Sequence, residues 1–194
     1  MKYILIGRGK MGKLIRETAS AAGDEIQAAF GHDDLDQLGR LGKVADVVTN
    51  NYGTSIPMVD TASVLQRTLE IVKEQETAFI CTNVQETDLC GHRENVAAYA
   101  DRLRVADEWI EIGIRDALGE DDILIVQADH GNDPTIGHPH HTREMVPLMI
   151  HSAHSTPKNI GIRKTLSDVG ATAADYFHSK APENGTSFLP LLLK

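Results

Sequence analysis

Two short stretches of the chain hold side chains that could bind a metal ion. The first is QADHGNDPTIGHPHHTRE, in which Asp129 and His130 are adjacent and His141 follows eleven residues after His130. The second is ETDLCGH, which offers Asp88 and His92 four residues apart. Carboxylates and imidazoles without a thiolate suit Mn²⁺, Zn²⁺ or Fe²⁺ better than a structural cysteine site does. Five such ligands are too many for one tetrahedral ion and fit most of a two-metal site, an arrangement that serves phosphoryl transfer.

Each half of this set also has a plainer interpretation. An Asp-His pair in a loop is commonly solvated, and Asp88 with His92 would then be a helix cap beside a solvated histidine. The combination favours metal chemistry, because six of the nine histidines lie within residues 130–154. A catalytic nucleophile is not identified, since Thr18 and Ser20 fall inside a predicted helix, where such hydroxyls are usually solvated or bonded to the backbone.

Alternating strands and helices are predicted to position both stretches. Periodicity predicts strands at 2–6, 25–30, 44–49, 77–84, 122–127 and 145–152, and helices at 10–22, 60–75, about 96–117 and 166–177. Both candidate stretches follow a strand, at the carboxyl end where open α/β sheets bind ligands. The predicted fold class is therefore α/β, with a mostly parallel sheet covered by helices on both faces. The segment NNYGTSIP is predicted to be a loop.

The opening segment contains a candidate nucleotide-binding turn. Gly7, Gly9 and Gly12 form G-x-G-x-x-G directly after the first strand, and this spacing lets a helix N-terminus face a pyrophosphate. A tight strand-to-helix turn that binds nothing would use the same glycines. The motif alone therefore leaves both interpretations open.

Composition narrows the class of partner. The formal net charge is -9, from 19 Lys and Arg against 28 Asp and Glu, which disfavours binding to nucleic acid. The sequence has no apolar stretch of about 18 residues and no signal-peptide pattern, so we expect no membrane partner and a cytoplasmic protein.

Four segments carry a resemblance to a known family: ADHGNDP, HHTREMVPL, IRKTLSDVGATAADYF and PENGTSFLPLL. They closely resemble the C-terminal part of the phosphopentomutases of the alkaline phosphatase superfamily, from about residue 43 to the end. The resemblance implies that Asp88, His92 and His141 bind one metal ion and that Asp129 and His130 bind the other, with Mn²⁺ as the usual pair. It also implies phosphoryl transfer on ribose or deoxyribose phosphate between positions 1 and 5, with Lys43 near the phosphate.

The sequence departs from that family in two ways. Asp88 and His92 are four residues apart rather than five, a spacing similar to that of the cofactor-independent phosphoglycerate mutases, so the substrate stays open. The family's N-terminal metal-binding Asp, its Thr or Ser nucleophile and its cap domain find no counterpart in the sequence. We therefore expect an alkaline-phosphatase-like core without its usual N-terminal part and cap, truncated and impaired as an enzyme.

Residues 1–48 resemble a different family, the dihydrodipicolinate reductases, through GRGKMGKLI and ADVV. This divides the chain into a Rossmann-like opening, 1–48, and a phosphomutase-like core, 49–194, which could still pack as one domain. Two alternative functions follow. One is an NADPH-binding fragment, and the other is a non-catalytic remnant that self-associates through an open sheet edge.

Overall fold

The computed structural model describes residues 2–6, 46–49, 54–57 and 60–192. The strands, β1 to β6 in chain order, are Lys2–Ile6, Asp46–Thr49, Thr54–Pro57, Ala78–Thr82, Ile123–Gln127 and Leu148–Ser152. The α-helices, α1 to α5, are Thr61–Glu74, Glu86–His92, Val96–Glu108, Ser167–Tyr176 and Leu189–Leu192.

The six strands form one mixed sheet in the order β3-β2-β4-β1-β5-β6. β1 lies at its centre and pairs in parallel with β4 on one side and β5 on the other. In this register Ile6 lies between Thr82 and Val126, the positions near which β4 and β5 end. The loops that follow β4 and β5 therefore leave the sheet at the same end, with only β1 between them.

Helices cover both faces of the central strands. Each helix has one apolar side, and successive residues of a strand point to opposite faces, so both faces of the sheet are covered. On one face Val64 and Leu65 of α1 pack with Ile80 of β4 and Leu124 of β5. The residues on the other face are Phe79, Ile123 and Ile125 of the sheet with Val169 and Ala173 of α4 and Phe188 near α5. Alternate residues of β4 and β5 thus enter opposite cores, and this fixes the rotation of both strands.

Two of the helices begin at side-chain caps. Asp60 accepts a hydrogen bond from the Ser63 amide at the start of α1, and Asn95 accepts one from the Ala98 amide at the start of α3. Such caps satisfy amides that have no partner within the helix. α3 continues as a π-helical segment, Trp109–Ile114, and a 3-10 turn, Arg115–Ala117, so the hydrogen-bond period changes along the single predicted helix.

Most predicted elements within the described residues are present, and three differ. NNYGTSIP was predicted to be a loop, but its second half forms β3, which pairs antiparallel with β2. The predicted strand 145–152 is present as β6 and runs antiparallel to β5, and β2 is antiparallel to β4. Among the described strands, only β4, β1 and β5 pair in parallel, so this part of the sheet is mixed rather than mostly parallel. The predicted helix 10–22 and strand 25–30 lie outside the described residues.

The division at residues 48 and 49 remains a prediction. The boundary falls inside β2, Asp46–Thr49, and strands on both sides of it belong to one sheet. In the part of the chain that the structure describes, no helix is long and apolar enough to cross a membrane.

Candidate metal centre

Helix α2 presents the first two candidate ligands on one side. Asp88 and His92 are four residues apart in a helix, so their side chains are neighbours on its surface. The His92 Nε2 atom lies 3.2 Å from Asp88 Oδ2. A spacing of five would turn the second side chain away by about 100° in a regular helix. The observed spacing therefore suits ligands that both come from a helix.

The loop after β5 brings the third ligand to this helix. Gly131 and Thr142 form an isolated antiparallel bridge, which folds the segment between them back on itself. The bridge places His141 beside His130, and the two rings stack with centroids 3.6 Å apart. His141 Nε2 then lies 3.2 Å from Asp88 Oδ1 and 3.1 Å from His92 Nε2.

These three side chains form the tightest group of possible ligands among the described residues. One ligand atom each from Asp88, His92 and His141 lies within 4.8 Å of the others. Ligand nitrogens about 2.0–2.1 Å from a tetrahedral ion would be roughly 3.3 Å apart, close to the His-to-His distance found here. The residues present therefore fit a divalent cation in donor type and in spacing.

The tautomer of His92 supports the same geometry. Its Nδ1 atom lies 2.7 Å from the carbonyl oxygen of Pro139, which can only accept, so Nδ1 donates the hydrogen bond. A neutral ring then presents the Nε2 lone pair toward Asp88 and His141. Metal-binding histidines are commonly oriented in this way by a backbone carbonyl.

Asp129 and His130 lie beside this group and are not part of it. His130 Nε2 is 3.9 Å from Asp88 Oδ1 and 3.6 Å from Asp129 Oδ1. Burial raises the pKa of Asp129, and the nearby His130 opposes that increase. The negative charge of Asp88 also raises this pKa, which indicates that the two carboxylates face one region. All five predicted ligands thus lie at one edge of the sheet, three of them as a compact set.

The remaining predicted site residues cannot be compared with the structure. Gly7, Gly9, Gly12 and Lys43 all lie outside the described residues. A cofactor role for the glycines and a phosphate role for Lys43 therefore stay predictions.

Sequence reasoning missed three residues that shape the site. Asn132 donates hydrogen bonds from Nδ2 to Asp88, and Pro139 orients His92 through its carbonyl. Burial raises the pKa of Tyr99, and the charge of Asp88 adds to that increase, so its phenol stays neutral near the carboxylates. Asn132 lies inside the motif ADHGNDP and was visible there, whereas a backbone carbonyl or a residue on another helix gives no sequence signal.

Comparison with known proteins shows which family the chain resembles. The model of the Metalloenzyme superfamily matches residues 30–181. The phosphopentomutase of Caldanaerobacter subterraneus subsp. tengcongensis is 38% identical over 209 residues, covering 97% of this chain and 53% of that protein.

Two further relatives agree. The phosphopentomutase of Desulfitobacterium hafniense is 36% identical over 156 residues (79% of this chain and 40% of that protein). The phosphopentomutase of Vibrio parahaemolyticus is 35% identical over 152 residues (77% and 37%). The chain thus spans between 37% and 53% of the length of these relatives. A solved structure, the PH0037 protein from Pyrococcus horikoshii, aligns over 48% of this chain and 27% of that one, with a TM-score of 0.41 and 21% identity.

The family match covers both candidate stretches, the strands β4 and β5 that precede them, and the helix α4 that packs behind β5. The resemblance noted in the sequence is confirmed at this level: the chain belongs to the Metalloenzyme superfamily.

Proposed function

We propose that this chain binds divalent metal at the site of α2 and the loop after β5 and uses it for phosphoryl transfer on a sugar phosphate. Asp88, His92 and His141 hold one ion, and Asp129 with His130 contributes to a second ion beside it. The observation that supports this most directly is the convergence of Asp88, His92 and His141 within 4.8 Å. Carboxylate and imidazole donors suit Mn²⁺, which we propose as the ion.

The reaction class follows from the family and from the donors. The candidate ligands would hold a divalent ion where it could neutralise charge on the phosphoryl oxygens and orient the group for displacement. The described carboxylates cannot do this themselves, because they would repel a phosphate. The relatives named phosphopentomutase favour a pentose phosphate as substrate. The movement of the phosphate between positions 1 and 5 is what the resemblance of the sequence implies.

The residues of this chain have separate tasks in the proposed site. The Pro139 carbonyl fixes the ring of His92, so that its Nε2 atom is oriented before an ion binds. Stacking against His130 restricts the ring of His141. The Asp88 carboxylate lies close to His92 through one oxygen and to His141 through the other. Little reorganisation is then needed on binding, which increases metal affinity.

Metal content and activity test this proposal together. The full chain is purified, loaded with Mn²⁺, and its bound metal is measured by elemental analysis. Two ions per chain support the five-residue assignment, one ion restricts it to the set of three, and no bound ion overturns it. Loss of metal and of p-nitrophenyl phosphate hydrolysis is expected in Asp88→Ala and Asp129→Ala. The control His154→Ala changes an exposed histidine that lies 3.6 Å from Asp121, and it should keep both properties.

A second assay distinguishes the substrate classes. Ribose 1-phosphate and 3-phosphoglycerate are offered separately to the Mn²⁺-loaded chain, and phosphorus NMR follows the position of the phosphate. Conversion of the pentose phosphate alone supports the proposal. Conversion of the glycerate alone would assign the chain to the activity that its Asp88-to-His92 spacing resembles. Metal-dependent hydrolysis without transfer in either arm would restrict the function to a phosphatase.

A further inference from the structure

We propose that Asn132 is a positioning residue for Asp88. We also propose that glycine is required at position 91, because a side chain there would overlap the Asn132 amide that contacts Asp88. The inference rests on the proposed metal site and concerns how that site is held before an ion arrives. Neither residue is placed among the metal ligands.

The Asn132 amide group connects the two halves of the site. Its Nδ2 atom donates to the carboxylate oxygen Oδ1 of Asp88 at 2.7 Å and to the backbone carbonyl of Asp88 at 3.1 Å. Asn132 belongs to the loop after β5, whereas Asp88 belongs to α2, 44 residues earlier. One amide therefore fixes both the backbone and the side chain of the ligand residue.

Burial makes the loss of these two hydrogen bonds costly. Asn132 is only 9% exposed, so water has limited access to its amide. A buried amide without partners is costly, and an amide donating to a carboxylate is among the stronger hydrogen bonds. The bonded oxygen, Asp88 Oδ1, is also the one 3.2 Å from His141 Nε2. Asn132 thus orients the Asp88 oxygen that lies next to His141.

Gly91 provides the space that Asn132 occupies. A Cβ atom at position 91 would lie 2.3 Å from the side-chain Cγ and Oδ1 of Asn132 and 2.5 Å from its Nδ2. Gly91 is buried near the end of α2, where alanine would be the better helix former. The helix therefore forgoes a favourable residue at the position that contacts the amide. Any side chain there must displace Asn132 from Asp88.

The experiment measures Mn²⁺ affinity of the full chain by isothermal titration calorimetry. Removing outer partners of metal ligands commonly lowers affinity by about 10- to 100-fold, and we expect a loss in this range for Asn132→Ala.

A matched control separates positioning from simple stability. Asn95→Ala removes another asparagine hydrogen bond, the cap of α3, at an exposed position outside the site. It should lower the thermal midpoint and leave Mn²⁺ affinity unchanged. The visible absorption spectrum of the Co²⁺-loaded chain gives a second measure, because it responds to ligand geometry. We expect this spectrum to change in Asn132→Ala and to stay the same in Asn95→Ala.

A double-mutant cycle tests the part assigned to Gly91. Gly91→Ala should weaken Mn²⁺ binding in the natural chain and have no further effect when Asn132 is already alanine, since the two changes then disturb one contact. Additive losses would overturn the assignment of Gly91. Unchanged affinity and an unchanged Co²⁺ spectrum in Asn132→Ala would overturn the role of Asn132 alone. A natural chain that binds no Mn²⁺ would overturn the metal site as well.

Discussion

Replacing Asp168 by alanine should destabilise the protein without touching the metal site. The carboxylate lies in the first turn of α4 with only 3% of its side chain exposed. Arg163 donates to it from Nε at 2.8 Å, and the backbone amide of Thr186 donates to its other oxygen at the same distance. Arg163 also donates to the Thr186 carbonyl and lies over the Phe188 ring, 5.5 Å from its centroid. Asp168 thus anchors the C-terminal segment to α4.

The expected loss is about 3 kcal/mol in the free energy of unfolding. Removing one partner of a fully buried ion pair costs about 3–5 kcal/mol. The lower end applies because Arg163 keeps 21% of its side chain exposed and regains water when its partner is lost. Such a loss is a large share of the roughly 5–15 kcal/mol that stabilises a typical domain. It should appear as a lower urea midpoint with an unchanged slope.

Asp175→Ala provides a matched control on the same helix. Asp175 is exposed and accepts a hydrogen bond from Ser187, so it also contacts the C-terminal segment. A solvated contact of this kind contributes less than about 1 kcal/mol. Urea unfolding of both variants is followed by circular dichroism. If Asp168→Ala lost no more stability than Asp175→Ala, burial would not be the source of the effect and the argument would fail.

Two further predictions concern buried hydroxyls. The Tyr176 phenol is buried and donates to the Asp121 carbonyl, and burial raises its pKa to about 12, so the neutral form is favoured on folding. That contribution is complete below pH 10 and is lost between pH 10 and about 12. Over this window the natural chain should lose up to about 2–3 kcal/mol more than Tyr176→Phe, measured by urea unfolding. The hydroxyls of Thr68 and Thr82 are fully buried and 2.8 Å apart. Thr68→Val should cost about 1–3 kcal/mol, and the double change to valine should recover much of it.

The fold could be predicted from the sequence where periodicity was strong and local. The strands β4 and β5 and the helices α1 and α4 follow from apolar spacing, and their bounds agree with the structure within a few residues. The helix α2, which carries Asp88 and His92, was not among the predicted helices. The directions of β2 and β6 could not be predicted, because the residues of a strand do not show whether it runs parallel or antiparallel to its neighbour.

Candidate site residues could be named from the sequence, but their arrangement could not be predicted. Asp-His motifs identify candidate ligands, yet the bridge between Gly131 and Thr142 decides that His141 reaches α2 while Asp129 stays outside the compact set. That bridge is a single contact between distant residues, and nothing periodic in the loop signals it. Asn132 and Pro139 act through one amide and one carbonyl, groups whose importance depends on where the chain places them.

The position of β1 makes a prediction about the proposed boundary between residues 48 and 49. β1 is the strand that joins β4 to β5, and Tyr3 lies between Phe79 and Ile123 in the register. Without residues 1–48, β4 and β5 would each lose β1 as a parallel neighbour, and most of β2 would be removed as well, so β4 would be unpaired on both sides. We therefore expect the fragment 49–194 to aggregate, and a co-expressed fragment 1–48 to restore a folded complex. Size-exclusion chromatography and urea unfolding provide the measurement. A monomeric fragment 49–194 that unfolds cooperatively and binds Mn²⁺ as tightly as the full chain would instead establish two independent units, and the central place of β1 would then contribute nothing to the metal site.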